Sequence, residues 1–329
     1  MRRAAIGLAL AALAACGPRT PPPARETVPF TVPRGATLAE VADSLHAAGL
    51  VTSPRLFRFY ATVSGRTRAL RAGTYDIPRR ASVREVLGLL VTGRPALRRL
   101  VVQEGLMLSE TAESVASQLG EPAESVLAAA HSDSLRAVLG IERPTLEGYL
   151  YPSTYFVRVD ATARDVVRQM VREFERRWRP AWDARLRELG MTRDEIVTLA
   201  SIIEGEVRHD ADRAYVSSVY HNRLRRGMRL QADPTVIYAL GRRRRLYERD
   251  YQTHSPYNTY LIEGLPPGPV DSPSEASIRA ALYPASTPFL YFVARPDGQH
   301  VFSRTYAEHL QAIREIRGGA DTRANGARR

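Results

Sequence analysis

The stretch LASIIEGEV, Leu199–Val207, sets a glutamate directly after two isoleucines in what otherwise reads as a core helix. Thr192 and Glu195 stand ahead of it at capping-box spacing, and Ile196, Leu199 and Ile203 recur at helical intervals, so the spacing predicts a helix starting after Thr192. Winding it at about 100° per residue from Ile196 puts Ala200 near 40°, Glu204 near 80° and Val197 near 100°, which sets Glu204 inside the apolar face. Glu206 falls near 280°, about 160° away from Glu204, so the two carboxylates need separate explanations. A carboxyl withdrawn from water holds its proton to higher pH and can act as a general acid. An ion pair with an arginine at the edge of the core explains the same pattern. The helix alone leaves both readings open.

The chain has 329 residues, 44% of them hydrophobic, which is room for two or three domains and gives no sign of global disorder. Its net charge of +12 comes from arginine alone, since the sequence contains no lysine. That bias points to genome composition more than to a basic functional surface, and nucleic acid is not an expected partner. The run Arg242–Arg245 has no aromatic interleaving and reads as a solvated loop.

At the N-terminus Arg2 and Arg3 precede an apolar stretch from Ala4 to Ala15, and then Cys16, the single cysteine. The stretch is shorter than the roughly 20 residues that span a bilayer and suits a signal peptide. Leu13–Cys16, LAAC, looks like the lipobox of bacterial lipoproteins, so residues 1–16 are expected to be a lipoprotein-type signal with Cys16 lipidated. An ordinary signal peptide with an incidental cysteine is the alternative. Residues 17–27, rich in proline, read as a tether, and residues 317–329 as a disordered tail. With one cysteine no internal disulfide framework is available.

Between these ends the chain repeats itself. Phe30, Val32, Pro33, Thr37, Glu40, Val41 and Leu45 recur 45 residues later as Tyr75, Ile77, Pro78, Ser82, Glu85, Val86 and Leu90. Each copy predicts a short strand, a capping box and an amphipathic helix closed by Gly49 or Gly93. A weaker third copy follows, with Val102, Gly105, Leu108, Glu110 and Ala112. Residues 28–96 resemble the LysM-like subdomain of envelope proteins, which implies either glycan binding or scaffolding, and residues 97–160 read as a third strand–helix unit and connector.

Residues 161–316 carry the expected catalytic domain. Val216, Val219, Tyr220 and Leu224 mark a further helix, Asp233 is expected to cap another with Pro234 at its first position, and Ser272 with Glu275 to cap a third. Tyr257, Asn258, Thr259 and Tyr260 lie on a loop rich in proline and glycine, a composition suited either to sugar contacts or to a plain structural turn. FLYFVARPDGQHVFS, Phe289–Ser303, predicts a β-hairpin turning at Arg295–Gly298. The expected fold class is therefore α+β: small strand–helix repeats, then a mixed, largely helical domain with a hairpin.

Taken in order, LASIIEGEV, RLQADPTVIYALG, SPYNTYLIEGLPPGPV, YFVA and HVFSRTYAEH resemble the YceG-like family of endolytic murein transglycosylases, and LEGYLYPSTY extends the likeness. The resemblance implies non-hydrolytic cleavage of the β-1,4 bond between N-acetylmuramic acid and N-acetylglucosamine in nascent glycan strands, leaving 1,6-anhydro ends. It places the catalytic acid at Glu204 and substrate-positioning roles at Gln231, Asp233, Tyr257 and Asn258, with Glu206 orienting a partner or bridging an arginine. It implies peptidoglycan strands as substrate, an anchor in the membrane with the catalytic domain outside the cytoplasm, and peptidoglycan synthases as partners to consider. Two departures stand out: a lipobox replaces the family's membrane-spanning anchor, which leaves open which membrane is used, and Ser153 replaces an acidic residue. A hydrolytic muramidase using Asp233 or Glu206 as second carboxylate, and a non-catalytic glycan scaffold, are the alternatives. His209 and His221 lack ligand spacing, so neither a metal nor a cofactor is expected.

Overall fold

In the computed structural model, residues 26–93 and 95–326 are described, with no side-chain description from residue 319 onward. The expected signal peptide, Cys16 and nearly all of the tether lie outside the described residues. The chain divides into two compact units, one running to Leu97 and including Arg158–Asp160, the other comprising Arg98–Val157 and Ala161 onward.

The first unit runs β1 (Thr27–Val32), α1 (Leu38–Ala47), α2 (Pro54–Val63), β2 (Gly73–Pro78) and α3 (Val83–Thr92). β1 and β2 pair antiparallel with Phe30 opposite Tyr75, so equivalent positions of the first two repeats face each other. Both expected capping boxes are present, Thr37 with Glu40 and Ser82 with Glu85. Gly49 ends α1 in the left-handed region at φ 68°, whereas Gly93 is extended, so the second copy closes differently. Phe30, Leu45, Phe57, Tyr75, Ile77 and Leu90 build this unit's own core.

The second unit begins with β3 (Leu97–Val102), α4 (Leu108–Leu119), α5 (Ala123–Ala130), α6 (Asp133–Leu139) and β4 (Ser153–Arg158), with β3 and β4 paired. It continues through α7 (Ala163–Arg177), α8 (Pro180–Leu189), α9 (Arg193–Glu206), α10 (Asp210–Arg225), α11 (Asp233–Ala239) and α12 (Glu275–Leu282), then β5 (Tyr291–Ala294), β6 (His300–Ser303) and α13 (Tyr306–Gly326). β5 and β6 form the expected antiparallel hairpin, closed by Gly298 N–H donating to the Arg295 carbonyl at 2.9 Å.

Leu100, Val115, Leu146, Tyr149, Val166, Phe174, Ile196 and Ile203 belong to a single core. The third strand–helix unit therefore shares its interior with the helices after it and is not a separate segment of residues 97–160. α13 runs on to Gly326, past the expected end of order at Ile316, because extending an existing helix needs no new nucleus.

Two helix starts also differ from expectation. Ala232, not Asp233, is the N-cap of α11, which puts Asp233 and Pro234 inside its first turn. Ser274, not Ser272, caps α12, its side chain accepting from Ser277 N–H. Pro273 disfavours helical backbone at Ser272, whose carbonyl is taken by Gly105 N–H at 2.8 Å.

Candidate active site

α9 forms as its sequence dictates: Thr192 and Glu195 close the capping box, and Ile196 through Ile203 are all buried. The helix ends when Val207 turns extended at φ −101° and ψ 125°. Glu204 thus stands one turn, about 6 Å, beyond Ala200 along the axis. The helical wheel omits this height. At that height it meets polar groups from α10 and α12, not the apolar slot between Ala200 and Val197 that the wheel suggests.

The Glu204 side chain is only 6% exposed, and donors surround it. Arg213 of α10 reaches Oε2 through Nη1 at 3.1 Å and Oε1 through Nη2 at 3.4 Å. Ser274 donates its backbone N–H to Oε2 at 3.0 Å and its hydroxyl to the same oxygen. The ion pair with an arginine is therefore what the structure contains. Arg213 is held in turn by Asp210 at 2.8 Å and by Ser277. Burial pulls its guanidinium down, but the hydrogen bond to Asp210 and the charge of Glu204 outweigh that and raise its pKa. The loop between β3 and α4 lies against the other side of Glu204: a Cβ on Gly105 would stand 3.6 Å from its Cγ.

Burial drives three other carboxyls, Asp271, Glu147 and Glu206, toward the neutral form. Asp271 is 2% exposed, and its Oδ1 has no hydrogen-bond partner. Burial, followed by the charges of Glu204 and Glu147, pushes it well above the usual carboxylate range. Its Oδ2 lies 3.6 Å from where a Cβ on Gly205 would sit. Glu147, between α6 and β4, accepts the N–H of Leu108, the first residue of α4, on both oxygens at 2.9 and 3.0 Å, and burial pushes it up to about 7. Glu206 is likewise pushed up to about 7 by burial and by the nearby charge of Asp233, while Tyr220 donates to it at 3.1 Å.

The structure groups the remaining expected site residues around Glu206 and the loop that follows α11. Asp233 accepts from the Tyr260 hydroxyl at 2.7 Å, and its backbone N–H donates to Glu206. Gln231 is exposed and has φ 51°, the one positive φ at a non-glycine among the described residues. Its N–H donates to the Thr259 carbonyl at 3.1 Å, which holds this uncommon conformation in place. Tyr257 is half-buried against Tyr238, with ring centroids 4.6 Å apart. Asn258 departs from expectation. It is fully buried, and its amide donates to the carbonyls of Tyr251 and Thr253 at 3.0 and 2.9 Å, so it shapes the loop and does not face a glycan.

Sequence reasoning missed Arg213, Asp271, Ser274 and Glu147, whose meaning lies in contacts 9 to 70 positions away along the chain. One local signal was available, the repeated Glu–Gly pair. A Cβ on Gly205 would meet Pro234 Cβ at 2.7 Å, and one on Gly148 would meet Pro269 Cβ at 2.4 Å. At both places a glycine beside a glutamate admits a proline from another motif. Among the described residues no group of three or more His, Cys, Asp or Glu is placed to hold a metal ion, and no helix is long and apolar enough to cross a membrane. Of the arginine run, Arg243 pairs with Glu110 at 2.8 Å and Arg244 with Asp250 at 2.6 Å, so half of it serves internal contacts.

The profile of the YceG-like family matches residues 30–315. An endolytic murein transglycosylase of Bacillus subtilis is 30% identical over 305 residues, covering 88% of this chain and 84% of that protein. An endolytic murein transglycosylase of Streptococcus pneumoniae is 30% identical over 324 residues, covering 88% of this chain and 58% of that longer protein. The crystal structure of a YceG-like protein from Listeria monocytogenes superposes with a TM-score of 0.61 at 30% identity, covering 88% of this chain and 99% of the other.

Proposed function

The chain belongs to the YceG-like family, and from that premise we propose that it is an endolytic lytic transglycosylase acting on the glycan strands of peptidoglycan. The observation that carries the reading is Glu204, an almost fully buried carboxyl at the end of α9, held between Arg213 and the N-cap of α12. In the proposed reaction Glu204 acts in its protonated form, giving the proton to the glycosidic oxygen as the bond from C1 of N-acetylmuramic acid breaks. The C6 hydroxyl then closes on C1, and its proton returns to Glu204, leaving a 1,6-anhydro end with no water consumed. Arg213 and Ser274 fix where the two oxygens point, and positioning of this kind supplies much of the rate that geometry can supply. Gln231, Asp233 and Tyr257 are assigned to holding the strand, and Glu206 to orienting them through Asp233.

Mass spectrometry of the muropeptides released from purified glycan strands tests the assignment. Wild-type protein should give anhydro ends, and Glu204→Gln should lower their formation by at least about a hundredfold, the scale of a lost general acid. Anhydro product from a verified Glu204→Gln preparation would place the proton donor elsewhere. Asp271 favours a second reading, hydrolysis by two carboxyls, because it lies beside the same helix end with one oxygen unpartnered. Reducing ends in place of anhydro ends would establish that alternative.

The LysM-like character of the first unit belongs to the same proposal, supported by two helices enclosed between the antiparallel strands β1 and β2. So does the location, at an envelope membrane through a lipid on Cys16 with the catalytic unit outside the cytoplasm, supported by the lipobox-like LAAC.

A further inference from the structure

α2 has two apolar faces, and the first unit uses only one of them. Phe57 and Ala61 are fully buried in its core. On the opposite side Leu56 is 51% exposed, Phe59 66% and Val63 70%. Wound at about 100° per residue from Pro54, the buried pair lies near 300° and 340°, while Phe59, Val63 and Leu56 lie near 140°, 180° and 200°. The outward stripe is therefore close to diametrically opposed to the core, and packing of this unit does not account for it.

Along the chain on either side of α2 the charge is of one sign. From Val51 to Tyr75 the chain has Arg55, Arg58, Arg66, Arg68 and Arg71 and no acidic residue at all. Arg55, Arg66, Arg68 and Arg71 are exposed, and none of the five forms an ion pair among the described residues. On the same winding Arg55 lies near 100°, about 40° from Phe59 and so alongside the stripe, while Arg58 lies near 40°, between the stripe and the core. Elsewhere in the second unit, arginines on helices are commonly paired, as Arg176 and Arg177 are with Glu173.

We propose that this face of α2 docks on an anionic lipid bilayer, with Leu56, Phe59 and Val63 entering the boundary between headgroups and acyl chains and the arginines binding lipid phosphates. A short helix with an apolar stripe edged by basic residues lies in the plane of such an interface. Arginine suits it because its planar fork binds phosphate oxygens two at a time. The covalent layout agrees. Cys16, the proposed site of the lipid, precedes Glu26, the first described residue, by ten positions, a span of at most about 35 Å when extended. A chain anchored there keeps the first unit within reach of the bilayer. The inference concerns the first unit alone and stands whether or not Glu204 is the catalytic acid.

Co-sedimentation of the full chain with vesicles tests it, comparing phosphatidylcholine alone with phosphatidylcholine mixed with phosphatidylglycerol. Whatever residues 1–25 contribute is common to wild type and variants. Wild type should partition at least about tenfold more strongly onto the anionic vesicles, since each basic residue near such a surface is worth roughly fivefold, and added salt should reduce the difference. Phe59→Ser with Val63→Ser should weaken binding about tenfold, and Arg55→Gln with Arg58→Gln should remove most of the preference for anionic lipid. Phe59→Trp should show blue-shifted emission on anionic vesicles and none on purified glycan strands. Unchanged vesicle binding by both double variants overturns the proposal. So does a fall in oligomer mass of the serine variant in lipid-free solution, which would make the face a contact between copies, or a selective loss of glycan binding.

Discussion

At the scale of single residues, the decisive finding is that Glu204 is held by hydrogen bonds from Arg213 and Ser274. The pairing predicts the sign of a stability change. Glu204→Gln takes from Arg213, itself 12% exposed, the carboxyl it is paired with, leaving Asp210 and Ser277 as its remaining partners. We expect a loss of about 1–3 kcal/mol in denaturant unfolding near pH 7. A variant at least as stable as wild type would show that the ion pair contributes nothing. Glu206 predicts the opposite dependence. Its folded pKa is raised from 4.5 to about 7, so the stability it contributes is fully present below about pH 4.5 and is lost as pH rises toward 7. Gln at this position keeps an acceptor for Tyr220 and cannot ionise. Thermal melts across pH 5 to 8 should show Glu206→Gln gaining on wild type through that window and levelling above it, by at most about 3 kcal/mol. A constant difference would remove the assigned titration.

At the scale of elements, the site is a meeting of helix ends. α9 supplies Glu204 from its last turn, α10 supplies Arg213 from its first, and α12 offers its N-cap, where the helix dipole also favours a carboxylate. Close approach of α11 depends on Gly205, against which Pro234 packs where a Cβ would otherwise stand. Gly205→Ala should therefore push α11 and α9 apart and cost about 1–3 kcal/mol, the range for overpacking. Because the displaced turn carries Asp233, and Gly205 itself stands between Glu204 and Glu206, cleavage of glycan strands should fall by more than the stability loss explains. Parallel denaturation and product assays on this variant check the point. Activity that merely tracks the folded fraction would reduce Gly205 to a packing residue.

At the scale of the whole molecule, each unit has a core of its own, and the third strand–helix segment belongs with the helices. A chain beginning at Leu97 should then fold, giving a helical circular dichroism spectrum and a cooperative melt, and should release anhydro muropeptides from isolated sacculi. A folded but wholly inactive fragment would make the first unit part of the catalytic machinery. The sequence by itself determined the helix at 193–206, the capping boxes at Thr37 and Ser82, the hairpin at 291–303 and the position of Glu204, because these rest on periodicity and on contacts three or four residues apart. Only the tertiary structure decided that Glu204 pairs with Arg213, that Asn258 is spent on its own loop and that Asp271 is buried with an unpartnered oxygen. Those outcomes depend on which helix ends converge at one point, and the depth and charge of a side chain there are set by residues remote in sequence, which no local pattern records.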